Sequence, residues 1–214
     1  MKYSVTAKKY SMRNSLIVKP FFLLLLAFRA IGLQPAFGEN VINFGPHETK
    51  IDGSIPYSVI GKYKATFRSF RGTIITDDKF QKIHSVDLAI NVGSITSNCP
   101  WCDKIVCSHR LLNTALYPNV IFKSIIIIHD PNGYQVKGIL AMHGIKKVMT
   151  FPFSVERIND PKSHEQKLKL QGTWVINRKD FNIYWNKLLD RGGVLVGDNL
   201  TVHWGITINI QRRA

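Results

Sequence analysis

Three cysteines and one histidine are the residues whose types and spacing could do chemistry: Cys99-Pro-Trp-Cys102, followed by Cys107 and His109. A Cys-x-x-Cys pair can close into a reducible disulfide whose first sulfur is a good thiolate. Such redox pairs usually open a helix after a strand of a βαβ unit, and the surrounding sequence holds no such unit. Cys99, Cys102, Cys107 and His109 could instead offer four soft ligands to zinc or copper, although the spacing matches no common zinc knuckle. In oxidising surroundings a structural disulfide drawn from Cys99, Cys102 and Cys107 is the bland reading. It leaves a third thiol able to bond another chain, so a homodimer is among the allowed assemblies. Structural bridge, metal site, redox pair and free thiols all stay open at this point.

Other catalytic signatures are missing. The chain has no hydrolase elbow, phosphate loop or zinc-protease helix. Asp87 falls on an outward strand position and Asp77, Asp78 and Asp198 in turns, so no working carboxylate pair emerges. The expectation is a binding protein without resident metal or cofactor rather than an enzyme.

The elements that must position any site come next. Hydrophobic residues make up 45% and charged residues 20% of the 214, which is the composition of a globular protein and not of a disordered one. The formal charge is +15, but residues 1–38 hold Lys2, Lys8, Lys9, Arg13, Lys19 and Arg29 and no acid. The lysines of the remainder are spread singly along strands, which argues for solvated faces or attraction to an anionic membrane surface and against nucleic acid. Behind Lys19, the run Pro20-Phe-Phe-Leu-Leu-Leu-Leu-Ala-Phe28 and the small residues Ala36 and Gly38 have the layout of a secretory signal peptide. The apolar run stops at Arg29, short of the about 20 residues that span a bilayer. We therefore read 1–38 as a signal peptide cleaved after Gly38, with a retained anchor as the alternative. Residues 39–214 are then one soluble domain, periplasmic or secreted.

From Val41 onward the apolar period is two. Tyr63, Ala65 and Phe67 alternate with Lys64 and Thr66, and Val86, Leu88, Ile90 and Val92 with Asp87, Ala89 and Asn91. The same rhythm runs through Tyr134–Met142, Met149–Val155, Leu168–Ile176 and Leu200–Ile210. Successive strand side chains point to opposite faces, so each run is apolar on one face and wettable on the other. Strands separated by turn signals, such as His129-Asp-Pro-Asn-Gly133, Asn159-Asp-Pro161 and Arg191-Gly-Gly193, argue for an antiparallel all-β sandwich or barrel. The one break is Cys99–Leu116, which predicts a short helix or irregular insertion.

An eight-stranded barrel is just wide enough to be filled by its own side chains or to hold one slender ligand. Periodicity cannot separate these two interiors.

Several spans resemble the YceI-like family of lipid- and polyisoprenoid-binding proteins. Phe67-Arg-Ser-Phe-Arg-Gly72-Thr resembles its Phe-x-x-Phe-x-Gly-Thr turn, and Tyr117-Pro118-Asn-Val-Ile-Phe122-Lys123-Ser124 its Lys-Tyr-Pro-x-Ile-x-Phe-Lys-Ser strand. Leu140-Ala-Met-His143-Gly144-Ile145, Ile176-Asn177-Arg178-Lys-Asp180-Phe181 and Val196-Gly197-Asp198-Asn-Leu-Thr201 follow in family order, after His47-Glu-Thr-Lys-Ile51 and Ser85–Ile95. The resemblance implies an antiparallel eight-stranded lipocalin-like β-barrel. Its implied apolar tunnel takes an isoprenoid lipid or quinone, lined here by Tyr63, Phe67, Leu88, Ile90, Phe122, Leu140, Met142, Phe151, Phe153, Trp174, Ile176, Trp204 and Ile206. A membrane surface or membrane redox protein would be its partner. The main departure is that Ile105 and Cys107 stand where the family has His and Arg. Gly72 and Gly197 are expected to shape turns, Asn177, Arg178 and Asp180 to bond across a strand end, and His143 to be a satisfied turn residue.

Overall fold

The computed structural model describes residues 38–57, 61–131, 133–159, 165–186 and 195–210. The expected signal peptide lies outside these residues up to position 37, as do Pro161 and Arg191–Gly193 of the expected turns. Among the described residues no helix is long and apolar enough to cross a membrane.

The period of two becomes strands throughout: β1 (Glu39–Phe44), β2 (Thr49–Tyr57), β3 (Gly61–Phe67), β4 (Phe70–Asp77), β5 (Ile83–Asn91) and β6 (Ile95–Thr96). After the helix α1 (Pro100–Cys107) come β7 (Asn119–Asp130), β8 (Gly133–Met142), β9 (Ile145–Asn159), β10 (Gln166–Asn177) and β11 (Asn199–Asn209). They form one antiparallel sheet in the order β1-β4-β5-β7-β8-β9-β10-β11-β2-β3-β6, curled into a barrel-like shape. The expected count of eight strands is corrected to eleven among the described residues.

Corners account for part of the difference. β3 and β4 are separated only by Arg68 and Ser69, and β5 and β6 only by the 3-10 turn Val92–Ser94. At this corner the Arg68 amide donates to the Ser94 carbonyl (3.2 Å) and the Asn91 amide to that of Ser69 (2.9 Å). The Asn91 side chain caps the turn by accepting from the Gly93 amide at 3.0 Å. Alternation alone does not reveal such bends, because a strand can turn a corner without losing its period.

Opposite this corner, the 15-residue β9 joins both halves of the sheet. Its first part pairs with β8 from Ile145 to Phe153, and its second with β10 from Ser154 to Asn159. The β8–β9 hairpin turns on His143 (φ 50°) and Gly144 (φ 78°). Positive φ at both central residues gives the right-handed twist that a two-residue hairpin needs. The His143 ring is satisfied, with Nδ1 3.0 Å from the Phe181 carbonyl and the Tyr117 ring at 4.5 Å.

Inward side chains build one core, with Phe122, Leu168, Leu170, Ile74 and Ile51 almost fully buried. Burying each gives roughly 1.5–3 kcal/mol relative to leaving it in water. At the open end of β10, Arg178 is buried to 4% exposure. It donates to the carbonyls of Gly197 (2.8 Å), Ile183 (2.7 Å), Trp185 (2.9 Å) and Val196 (3.5 Å). Its guanidinium also meets Asp198 at 3.4 Å. Burial lowers the Arg178 pKa, and Asp198 works against that shift. Arg178 therefore ties loop carbonyls together at a strand end.

Candidate functional site

The inner face of the curled sheet encloses an apolar cavity of about 100 Å³. One water needs about 10–15 Å³ by that measure, so the space has room for several such groups. β5 supplies Val86, Leu88 and Ile90, β7 Val120 and Phe122, and β8 Val136, Leu140 and Met142. β10 adds Leu170, Trp174 and Ile176, and β11 adds Leu200, Val202, Trp204 and Ile206. Phe67 of β3 and Phe153 of β9 also line it, so eleven of the thirteen residues expected to form the tunnel stand in this wall.

Two of the named tunnel residues lie elsewhere. Phe151 is buried next to the wall without lining the cavity, its ring stacked on Trp174 at 4.2 Å and 9°. Tyr63 shares its strand face with Phe67 but reaches α1, where its hydroxyl donates to Asp103 Oδ1 at 2.5 Å. A partly buried phenol seeks an acceptor, and Asp103 supplies one outside the cavity.

Phe44, Thr49, Ile51, Ile74 and Leu112 also line the cavity, although alternation did not single them out. Ile74 is hidden because Ile75 follows it, so neither phase of alternation stands out. Thr49 and Ile51 do alternate in β2, but a polar leader obscures the pattern. Leu112 comes from the segment after α1, which carries no period at all.

Aromatic rings dominate one side. Trp174 lies 5.2 Å from Phe122 and 5.6 Å from Trp204 at 70°, and Trp204 lies 6.3 Å from Phe153. The Trp204 indole packs on the bare backbone of Gly172, where a Cβ would stand 2.9 Å from it. Thr49 Oγ1, Trp174 Nε1 and Trp204 Nε1 have no hydrogen-bond partner among the described residues. Among the described residues the wall holds no titratable side chain, and the cavity offers contact area and shape.

The cysteine segment is separate in character. Cys99 and Cys102 are joined in a disulfide, and Cys107 is free. The structure thus selects one pairing from three, and leaves only Cys107 and exposed His109 of the four soft ligands. No group of three or more His, Cys, Asp or Glu side chains is placed to hold a metal among the described residues. Burial, aided by the charge of Asp103, pushes the Cys107 thiol up from its ordinary pKa. Asp103 accepts from the Ser97 hydroxyl (2.5 Å) and amide (2.9 Å) as well as from Tyr63. Burial pushes Asp103 up, but these hydrogen bonds outweigh it and hold the carboxyl below its usual range. The Tyr63 phenol is pushed well above its usual range, first by burial and then by its bond to Asp103.

A curled antiparallel sheet around an apolar cavity defines a barrel-like β protein built to enclose something apolar or to pack on itself. The YceI-like domain model matches residues 43–208, and the chain belongs to that family. It is 30% identical over 118 residues to Protein YceI of Escherichia coli O17:K52:H18, a match covering 55% of this chain and 62% of that protein. Protein YceI of Salmonella arizonae is 28% identical over the same length. The match thus spans less than two thirds of these relatives. Among solved structures, Burkholderia cenocepacia BcnA superposes with TM-score 0.62 and 20% identity, covering 75% of this chain and 96% of its own. A polyisoprenoid binding domain from Saccharophagus degradans gives TM-score 0.56 at 14% identity, covering 78% and 96%.

Proposed function

We propose that this chain is an exported carrier that holds an isoprenoid chain, such as a quinone tail or polyprenyl lipid, inside its barrel. The observation that carries the reading is the cavity: apolar around its wall, with a bank of aromatic rings on one side. An isoprenoid suits such a wall, because burial gives about 25 cal/mol per Å² of apolar surface and needs few directional contacts. Family membership supports it, as does the similarity in fold to a domain described as polyisoprenoid binding. Export rests on the signal-like layout of residues 1–38. Binding, rather than catalysis, is the activity.

Such a carrier must meet the membrane that holds its ligand. The outer face of β7–β8–β9 exposes Ile121, Ile126, Ile139 and Val148, with Ile139 opposite Val148. Exposed Lys123, Lys137 and Lys146 are interleaved with them, and Asp87 stands opposite Lys123 in register. Apolar side chains among cations fit an anionic bilayer surface. The same lysines would repel each other across a self-interface.

Native mass spectrometry of protein purified from its host should show a co-purifying lipid, and the stripped protein should take up polyprenols or quinones. A ligand-free species that takes up neither would overturn the reading. Vesicles of phosphatidylglycerol and phosphatidylcholine should bind the protein in sedimentation, and Lys123→Glu with Lys137→Glu should abolish that. Unchanged sedimentation, or dimerisation through this face, would remove the membrane from the account.

A further inference from the structure

The Cys99–Cys102 disulfide does no tertiary work. It joins residues three apart, linking the N-cap of α1 to its own first turn. A loop that short removes less entropy from the unfolded chain than a long-range bridge does. α1 is fastened to the sheet by other means, namely the bonds of Asp103 to Tyr63 and Ser97. The apolar cavity does not involve either sulfur.

Its surroundings are those of a reactive pair. Both cysteines are half-exposed. Cys99 Sγ accepts from the Cys102 amide at 3.3 Å, one of the unpaired N–H groups that open a helix and favour negative charge. Between the two cysteines in the chain, Trp101 is 68% exposed, an apolar residue left open to solvent. Cys107, the last residue of α1, is half-exposed as well, but burial pushes its thiol towards the neutral form.

We propose that Cys99–Cys102 is a thiol–disulfide exchange site, with Cys99 the sulfur that bonds to substrate. The co-reactant is a dithiol carried on another protein, docked by an apolar residue against Trp101. The partner's first thiolate attacks Cys99 Sγ; a bond forms between those sulfurs, the Cys99–Cys102 bond breaks, and Cys102 leaves with the electron pair. The partner's second thiolate then attacks its own sulfur in the mixed disulfide, and Cys99 leaves as a thiolate that faces the Cys102 amide. The partner's dithiol is oxidised to a disulfide and Cys99–Cys102 is reduced to a dithiol. The two thiol protons pass through solvent from one pair to the other.

The test uses the full chain carrying Cys107→Ser. Its oxidised form, mixed with a peptide bearing two cysteines, should oxidise that peptide at least tenfold faster than oxidised glutathione does at equal concentration. Added Cys102→Ser should form a mixed disulfide with oxidised glutathione through Cys99, and Cys99→Ser should do so through Cys102 at least tenfold more slowly, both proteins showing wild-type circular dichroism. Trp101→Ala should slow the peptide reaction but not reduction by dithiothreitol. A bridge that dithiothreitol opens only in denaturant, or equal reactivity of Cys99 and Cys102, would make it a structural clamp and overturn the proposal. Polyprenol uptake, measured alongside, reads the carrier function separately.

Discussion

Phe151 stacks on Trp174 with ring centres 4.2 Å apart and planes within 9° of parallel. Trp174 lines the cavity and Phe151 does not, so one ring forms the wall and the other holds it in place. Phe151→Ala removes a side chain that is 3% exposed, and large-to-small changes of this kind cost about 3–5 kcal/mol. Urea unfolding should show that loss. Trp174 fluorescence should broaden as its ring gains freedom, and an unchanged urea midpoint would show that the stack bears no load.

Val202 faces Trp174 across the β10–β11 ladder and lines the same cavity. Val202→Phe should fill the space that a ligand would use. Overpacking typically costs about 1–3 kcal/mol in a full core, but here the added ring enters a void of about 100 Å³. We expect polyprenol uptake to fall at least tenfold while the melting temperature stays within a few degrees. Full uptake by this variant would place the ligand outside the barrel.

The alternation of β8, β10 and β11 makes most of the wall legible in the amino-acid sequence, because their inward and outward residues differ sharply in polarity. Where polarity does not alternate, the wall is illegible. Ile74 and Ile75 are equally apolar and give no phase, and Leu112 sits in a segment without period. Tyr63 misleads because its position on the strand face is correct while its hydroxyl demands an acceptor beyond the cavity. The strand count differs for another reason: corners such as Arg68–Ser69 change direction without changing the side-chain rhythm. Cysteine pairing is beyond reach, since spacing alone permits any of the three pairs.

Arg178 bonds across a strand end, as its sequence context suggests, and its contacts make the consequence specific. Arg178→Ala leaves the carbonyls of Ile183 and Gly197 without their donor, while that of Val196 keeps the Asn186 amide, and unsatisfied buried groups cost about 1–3 kcal/mol each. Lysine cannot replace the planar fork, so Arg178→Lys should also destabilise, by about 2 kcal/mol or more. Denaturant titration checks both variants. A stable Arg178→Lys protein with weakened lipid binding would instead assign the guanidinium to the ligand.

The Tyr63–Asp103 bond that fastens α1 should give the protein two pH limits. Asp103 has a depressed pKa in the fold, so its contribution is present above the unfolded value, near 4, and is lost as pH falls through the folded one. Tyr63 has a raised pKa, so its contribution is complete below the unfolded value, near 10. As pH climbs beyond that, the unfolded chain gives up its proton while the folded one keeps it, and stability declines. Melting temperature followed by circular dichroism should therefore drop on both sides of the range between about pH 4 and pH 10. Tyr63→Phe removes the phenol's titration and should lessen the alkaline drop, at the cost of one hydrogen bond to a charged acceptor, about 1.5–3 kcal/mol less solvent screening at this half-buried site. Asp103→Asn should lessen the acid drop instead. If both variants keep the wild-type profile, the bond does not hold α1 to the sheet.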